Sequence, residues 1–494
     1  MLTNEEIKKF IDEDEASEIK QTARVGQDYY EGRHDILDYR MFYWNADGKL
    51  VEDKTRSNVK IPHPFYTELV DQGTQHILSG EEDIFQSKDT ALKKKLDLYF
   101  NRNRAFRAEL SETITGQQGK GFDYMYAYKG KDDRLCFENA DCLGVVEVEG
   151  RFAEDGKDQR IWRYVDRIDK DGHTQWKILV IDDENTYFFC QTDEGEIQRD
   201  ESVEHNPRPH AFYKDKKTGE LFKKEFGFLP FFRLDMNKKR VPLLRAVKPL
   251  IDDYDLMASS LTNNLIDFDH PLHVVRGFRG DDLDELATNL KTKKMIGVPE
   301  GDGGVDIKVV DIPYQARQAK LDLDEKGIYK FGMGLNMEGL KDTSATTNIA
   351  IKAAYSLLEL RCNKMKEQLE KFLEEIVTVV LNEINAAEGT AYTIDQVEFV
   401  FKPEIMSNAK ENAEIELTDA QRKQAEVNTL LGLKETLDDE TIVQRICEVM
   451  EIDYEEIKSK LPEPETDPIP QARTELDKVV LEDEPEGVPG DVIV

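Results

Sequence analysis

Residues 242–349 constrain this chain more than any other stretch, because two helical runs there enclose an insert that is not helical. In the first, VPLLRAVKPLIDDYDLMASSLTNNLIDF, the apolar residues Leu243, Val247, Leu250, Ile251, Tyr254, Met257, Leu261 and Leu265 recur three or four apart and form one stripe. The insert, residues 270–313, has β-rich runs at 272–275 and 307–310 with a short helical pattern and glycine turns between them. YQARQAKLDLDEKGIYKFG is the second helix, and EGLKDTSATTN is a loop of small polar residues leading into a helix of about 40 residues at 348–387, hence about 60 Å long. Two helices bracketing a small insert read as a part that presents two ends to different partners.

The rest of the chain sorts by period. Residues 1–130 read as helical, with amphipathic segments before Tyr30, an Asp-Gly turn in MFYWNADGKLV, and helices at 64–80, 90–101 and 105–119. From Gly121 the period changes to two, and RIWRYVDRI, HTQWKILVI and TYFFCQT, joined by tight turns, predict an antiparallel sheet whose packed face carries Trp162, Tyr164, Trp176 and Phe188. In the long helix Ile349, Ala353, Leu357, Leu360, Met365, Leu369, Phe372, Ile376, Val380 and Ile384 mark the expected buried side. Helices at 407–461, broken at Gly432, precede a tail, 462–494, with ten acidic and two basic residues and repeated prolines, which reads as disordered. The fold class is α+β and mostly helical, with a small antiparallel sheet.

Charge narrows the function. With 101 acidic and 67 basic residues the formal net charge is −34. Gripping nucleic acid by its phosphates needs Lys and Arg to displace counterions, so this chain is poorly suited to it; an acidic wall would instead keep an enclosed duplex mobile. Plain solubility is the other reading of the charge. Five cysteines without a CxxC suit buried thiols in a reducing compartment, and MLTNEEIKKFIDEDE is no signal peptide. No apolar run approaches the roughly 20 residues of a membrane span, so no membrane role and cytoplasmic synthesis are expected.

Chemistry is sparse. Gly116-Gln-Gln-Gly119-Lys120-Gly121 has the wrong spacing for a phosphate-cradling loop, and the GMG at 332–334 reads as a flexible helix end. His270 with His273, and His205 with His210, lack a carboxylate or cysteine partner at ligand spacing. Asp252 and Asp255 are three apart and share a helix face, which reads as a solvated or subunit-facing acidic patch ahead of a metal site. No catalytic triad, cofactor motif or metal motif emerges, so no enzyme, cofactor or metal is expected. The loop at 339–347 stands apart: its small hydroxyl residues can touch a phosphate backbone without holding it, and Lys341 adds one modest contact. Thr347 or Asn348 can equally cap the long helix.

Four stretches in order, YYEGRHDIL, NVKIPHPFYTELVDQGTQHILSG, FGFLPFFRLDMNKKRVPLLRAVKPLIDDYDLMASSLTNNLIDF and TTNIAIKAAYSLLELRCNKMKEQLEKFL, resemble portal proteins of tailed bacteriophages, of the long-tailed siphophage type found in phages of Gram-positive bacteria. The family often has Ser-Gly before its long helix where this chain has Thr-Thr-Asn. The resemblance implies a ring-forming, non-enzymatic portal fold. Its wing would be residues 1–241, the first stem helix 242–269, the clip 270–312, the second stem helix 313–336 and the tunnel loop 337–347. Residues 348–406 would be the long wing helix and a strand, 407–461 the helical crown and 462–494 the tail. It also implies a homo-oligomeric, dodecameric ring at the capsid vertex of the virion. Double-stranded DNA would pass through it, and terminase large subunit, head–tail adaptor, major capsid and scaffolding proteins would be its partners. Lys341, Thr343, Ser344, Thr346 and Thr347 would then face DNA, while Arg276, Arg279, Lys291, Lys293 and Lys294 in the clip would contact DNA or the packaging motor. The rival readings are a metal-dependent nuclease or hydrolase using Asp252, Asp253 and the histidines, and an acidic capsid scaffold or adaptor without a channel.

Overall fold

A computed structural model describes residues 2–45, 47–54, 56–80, 82–130, 133–152, 156–168, 170, 172–192, 195–214, 220–268, 272–276, 304–308, 313–336, 348–403, 409–433, 439–450 and 454. The chain divides into two compact units, Met1–Met406 and Ser407–Val494.

The first unit opens with helices α1 (Asn4–Glu15) and α2 (Glu18–Tyr30). Thr3 and Glu6 form a reciprocal capping box at the start of α1, satisfying two otherwise orphan amides. A hairpin, β1 (Phe42–Trp44) and β2 (Leu50–Glu52), turns through the Asp-Gly pair. Helix α3 (Phe65–Leu78) starts at Pro64, then come β3 (Phe85–Gln86), α4 (Thr90–Leu96) with a π turn at Asp97–Asn101, and α5 (Arg104–Lys120). Helices α2 and α5 cross closely at glycines: a Cβ on Gly26 would lie 2.1 Å from the Gly119 carbonyl oxygen.

Strands β4 (Phe122–Lys129), β5 (Leu135–Ala140) and β14 (Phe231–Asp235) make one antiparallel sheet in the order β14-β4-β5. A second sheet runs β10-β9-β8-β7-β6, with β11 also on β9: β6 Val145–Val148, β7 Gln159–Ile168, β8 Thr174–Ile181, β9 Asn185–Thr192, β10 Gln198–Arg199 and β11 Arg208–Pro209. Strands β12 (Ala211–Lys214) and β13 (Leu221–Lys224) pair separately. Both faces of the second sheet are packed, because the period of two sends alternate residues to different cores. Ile161, Ile178, Val180 and Phe189 meet Ile7 and Ile11 of α1, whereas Trp162, Tyr164 and Phe188 meet Tyr124 and Phe231. Trp176 therefore does not share a face with Trp162: it lies three residues from Leu179, the partner of Trp162, and its ring sits 4.2 Å from the Arg163 guanidinium.

Helix α6 (Leu244–Phe268) and helix α7 (Tyr314–Phe331) are followed by the 41-residue α8 (Asn348–Glu388) and β17 (Glu398–Phe399), which pairs with β3. The largest core gathers on α8 and contains the aromatic group Phe85, Phe100, Phe106 and Phe137. Its buried stripe runs Ile351, Tyr355, Leu358, Cys362, Met365, Leu369, Phe372, Ile376, Val380 and Ile384. The second half of the expected stripe holds. In the first half Ala353, Leu357 and Leu360 are exposed, and Ile349 lies outside the described side chains. Two apolar stripes are present there, and packing against the rest of the unit selects the one continuous with Met365. In the second unit α9 (Ala409–Gly432) and α10 (Asp439–Val449) pack on each other. No helix among the described residues is long and apolar enough to cross a membrane.

Candidate functional site

Helices α6 and α7 run antiparallel, since Leu250 lies across from Gly327 while Asp253, further along α6, pairs with Lys320, earlier on α7. Their roots sit in a core of Tyr29, Tyr66, Leu69, Leu244, Val247, Ile251 and Ile328. At the far end of α6 the chain enters β15 (Leu272–Arg276), which pairs antiparallel with β16 (Gly304–Lys308) before the chain returns through α7. The β15–β16 ladder thus follows the end of the helix pair away from the core.

Three aspartates of α6 fasten the root, each to a different partner. Asp252 accepts hydrogen bonds from the Tyr29 hydroxyl and from Lys248 Nζ at 2.8 Å, and the same ammonium lies 4.8 Å from the centre of the Tyr29 ring. Asp253 pairs with Lys320 at 2.5 Å, and Lys320 also pairs with buried Asp324. Asp255 is fully buried. Its Oδ2 accepts from His34 Nδ1 at 2.6 Å, and its Oδ1 accepts from His63 Nδ1 at 2.8 Å and from the His63 amide at 2.9 Å. The other nitrogen of His34 donates to the Tyr29 carbonyl at 3.2 Å, and the His34 ring stacks on Tyr29 at 4.5 Å. Burial raises the Asp255 carboxyl, but the hydrogen bonds from His34 and His63 outweigh it and hold the group below the ordinary carboxylate range. The reading of Asp252 and Asp255 as a solvated or subunit-facing patch is corrected for Asp255: histidines from YYEGRHDIL and KIPHPFY enclose it. The expected apolar stripe is corrected likewise, since the buried face of α6 carries Asp255 and Ser259, and Leu265 is exposed.

Below Asp255 the polar face continues as a ladder. Extended residues 57–63 run alongside α6 in the opposite direction. The His63 amide donates to Asp255, that of Ile61 to Ser259 Oγ at 3.0 Å, that of Val59 to Asn263 Oδ1 at 2.7 Å and that of Ser57 to Asp267 Oδ1 at 3.1 Å. Four helical residues advance about 6 Å and two extended residues about 6.6 Å, so the rungs stay in step for three intervals. Sequence reading missed this ladder. Its signal was the i, i+4 series Asp255, Ser259, Asn263, Asp267, with nothing to indicate its partner nearly 200 residues away.

The exit of α7 is held as firmly. Met333 adopts φ +50°, and a Cβ on Gly334 would stand 2.2 Å from Leu69 Cδ2. Buried Arg361 of α8 donates to the Gly332 carbonyl at 3.1 Å and the Leu69 carbonyl at 2.8 Å. The side chain of Gln72 brackets the backbone of Leu335, accepting its amide at 2.9 Å and donating to its carbonyl at 2.8 Å. The GMG segment is therefore a packed helix end and not a flex point.

Lys341, Thr343, Ser344, Thr346 and Thr347 lie between this exit and α8, outside the described residues. Arg279, Lys291, Lys293 and Lys294 also lie outside them, as does the tail at 462–494. Arg276 is placed by its backbone at the end of β15, opposite Gly304. Of the histidine pairs, His205 packs edge-on against Phe212 and the His210 ring lies tilted against Phe226, while His270 is outside the described residues. Lys120 of the GQQGKG run ends α5 and pairs with Asp123 at 3.0 Å and Asp141 at 2.8 Å. Asp123, Asp141 and Cys142 bring their ligand atoms within 4.8 Å of one another. Lys120 bonds to both carboxylates, and Lys20 donates to the Cys142 and Val145 carbonyls, so ammonium groups already supply the positive charge there.

The family model "Phage portal protein, SPP1 Gp6-like" matches residues 8–459. The chain belongs to this portal family. A portal protein of Bacillus phage SPP1 is 27% identical over 371 residues, covering 74% of this chain and 69% of that protein. One of Clostridium phage phiCD119 is 23% identical over 439 residues, covering 83% and 88%. Among solved structures, a chain in the neck of an empty GTA particle computed with C6 symmetry superposes with a TM-score of 0.38 at 12% identity, over 78% of this chain and 90% of that one. Portal proteins are structural components of the phage particle, and this portal is one of them rather than an enzyme. The nuclease or hydrolase reading falls with that membership. Asp252 and Asp253, on which it rested, are engaged by Tyr29, Lys248 and Lys320. The reading as a scaffold or adaptor without a channel falls with it too.

Proposed function

We propose that copies of this portal close into a dodecameric ring at the capsid vertex, the channel through which double-stranded DNA is packaged and ejected. Helices α6 and α7 are the stem, residues 270–312 the clip, residues 337–347 the tunnel loop, residues 1–241 and 348–406 the wing, and residues 407–461 the crown. The observation that carries this reading is the antiparallel helix pair, rooted in the core at one end and continued at the other by the β15–β16 ladder. An insert between two helices suits a docking surface for the terminase large subunit and later for a head–tail adaptor. Arg276, Arg279, Lys291, Lys293 and Lys294 are its basic contacts to DNA or the motor. Lys341, Thr343, Ser344, Thr346 and Thr347 face the DNA. The chain's net charge of −34 supports a duplex that slides rather than one that is gripped.

The test is Lys341→Ala, in particles assembled from the phage's own head and terminase proteins. DNase-protected DNA per particle should fall or leak while ring assembly stays unchanged. Rings that fail to form would show that Lys341 serves assembly, and the tunnel-loop assignment would be wrong.

A further inference from the structure

The β1–β2 hairpin is apolar on both faces and, among the described residues, covered on neither. Phe42 is 54% exposed, Trp44 71% and Leu50 55%, and Tyr43 and Val51 are exposed as well. The register places Trp44 opposite Leu50 on one face and Tyr43 opposite Val51 on the other. Among the described residues the two strands pair only with each other. An isolated two-stranded ribbon is marginal in water at best, so this one needs a partner surface.

Its place in the fold indicates which. The Asp53 amide closes the base of the hairpin on the Met41 carbonyl at 2.8 Å, and a short segment then reaches the rung at Ser57 and Asp267. The hairpin therefore hangs beside the insert end of α6. On α6, Leu250 and Asp253 face α7, while Ser259 and Asn263 bind the strap of residues 57–63. At about 100° per residue the centres of these two sets lie about 130° apart around the helix, so the strap occupies a flank different from the one that faces α7. When helix pairs repeat side by side around a ring, such a flank meets the next copy.

We propose that the β1–β2 hairpin is an arm that docks on the neighbouring copy of this chain; the inference rests on the portal reading above. The five side chains expose roughly 500 Å² of apolar surface, a large part of the about 800 Å² per partner in a stable interface. Copies that each carry a net charge of −34 repel one another, so contacts between them depend on uncharged surface of this kind.

The test uses the full-length chain and the double variant Trp44→Ser/Leu50→Ser. Rings are followed by native mass, and iodide quenching of Trp44 is read as the difference between wild type and Trp44→Phe. The arm predicts that Trp44 quenching drops severalfold when wild-type rings form. It also predicts that the double variant, with an unchanged circular dichroism spectrum, needs at least tenfold more protein to assemble. Rings that assemble at the wild-type concentration, or that leave Trp44 as quenchable as in the monomer, overturn the arm while leaving the portal reading intact. The second result holds whether or not the variant folds, because it needs only the wild-type and Trp44→Phe chains. If the wild type makes no ring even with its capsid proteins, the portal reading fails and the arm with it.

Discussion

Replacing Asp255 by alanine should loosen the root of the stem and the strap together. The carboxylate accepts three hydrogen bonds, at 2.6, 2.8 and 2.9 Å. His34 is fully buried and its Nδ1 would lose its partner, whereas the His63 side chain is 28% exposed and can turn to water. Leaving a buried donor without its acceptor costs about 1–3 kcal/mol, and that cost falls on His34. The two bonds to His63 are partly compensated by solvent and contribute about 2–3 kcal/mol at hydrogen-bond values for charged acceptors. Hydrogen exchange measured amide by amide separates the two. Opening of the strap should become about 30- to 150-fold more populated, so the amides of Ile61 and His63 exchange faster by that factor. Ser57, held at the other end by Asp267, should change less. Asp255→Asn keeps one acceptor oxygen and should fall between. If the thermal midpoint drops but the Ile61 and His63 amides exchange at the wild-type rate, Asp255 does not anchor the strap.

Two further outcomes follow from buried charge and close packing. Burial raises the Glu147 carboxyl, but Arg233, Arg160 and Arg240 outweigh it and bring it from 4.5 down to about 2. The folded state therefore holds this proton more weakly than the unfolded state does. The stabilisation, about 3 kcal/mol at neutral pH, is present above pH 4.5 and lost as the pH falls from 4.5 towards 2. A Glu147→Gln variant should lack that part of the acid transition, as read by circular dichroism across the same pH range. Gly26→Ala should destabilise the first unit by about 1–3 kcal/mol, because its Cβ would meet the backbone oxygen of Gly119 at 2.1 Å. A thermal midpoint equal to that of the wild type would show that α2 and α5 do not approach so closely.

Much of the scaffold was legible in the sequence. Residues 242–268 and 314–331 showed helical period with an insert between them, and the strands after Gly121 showed a period of two closed by Asp and Gly turns. What escaped depends on contacts distant in the chain. In α8 the residues 353, 357 and 360 are as apolar as 351, 355 and 358, so spacing alone could not choose between the stripes. Asp255, Ser259 and Arg361 are polar residues in buried places, each answered by groups far away in sequence: His34 and His63, the Ile61 amide, and the Leu69 carbonyl. Trp176 is aromatic like Trp162, but its odd offset from Leu179 sends it to the opposite face. The site residues proposed for the loop and the insert came from family resemblance and from small or basic composition, which carries no geometry of its own.

Imaging of purified particles, with the native mass of the same sample, tests the central claim most directly. Rings with a central hole and a mass near twelve copies are the predicted result. A species that stays small and ringless, even when made together with the capsid proteins of its phage, would contradict the portal reading.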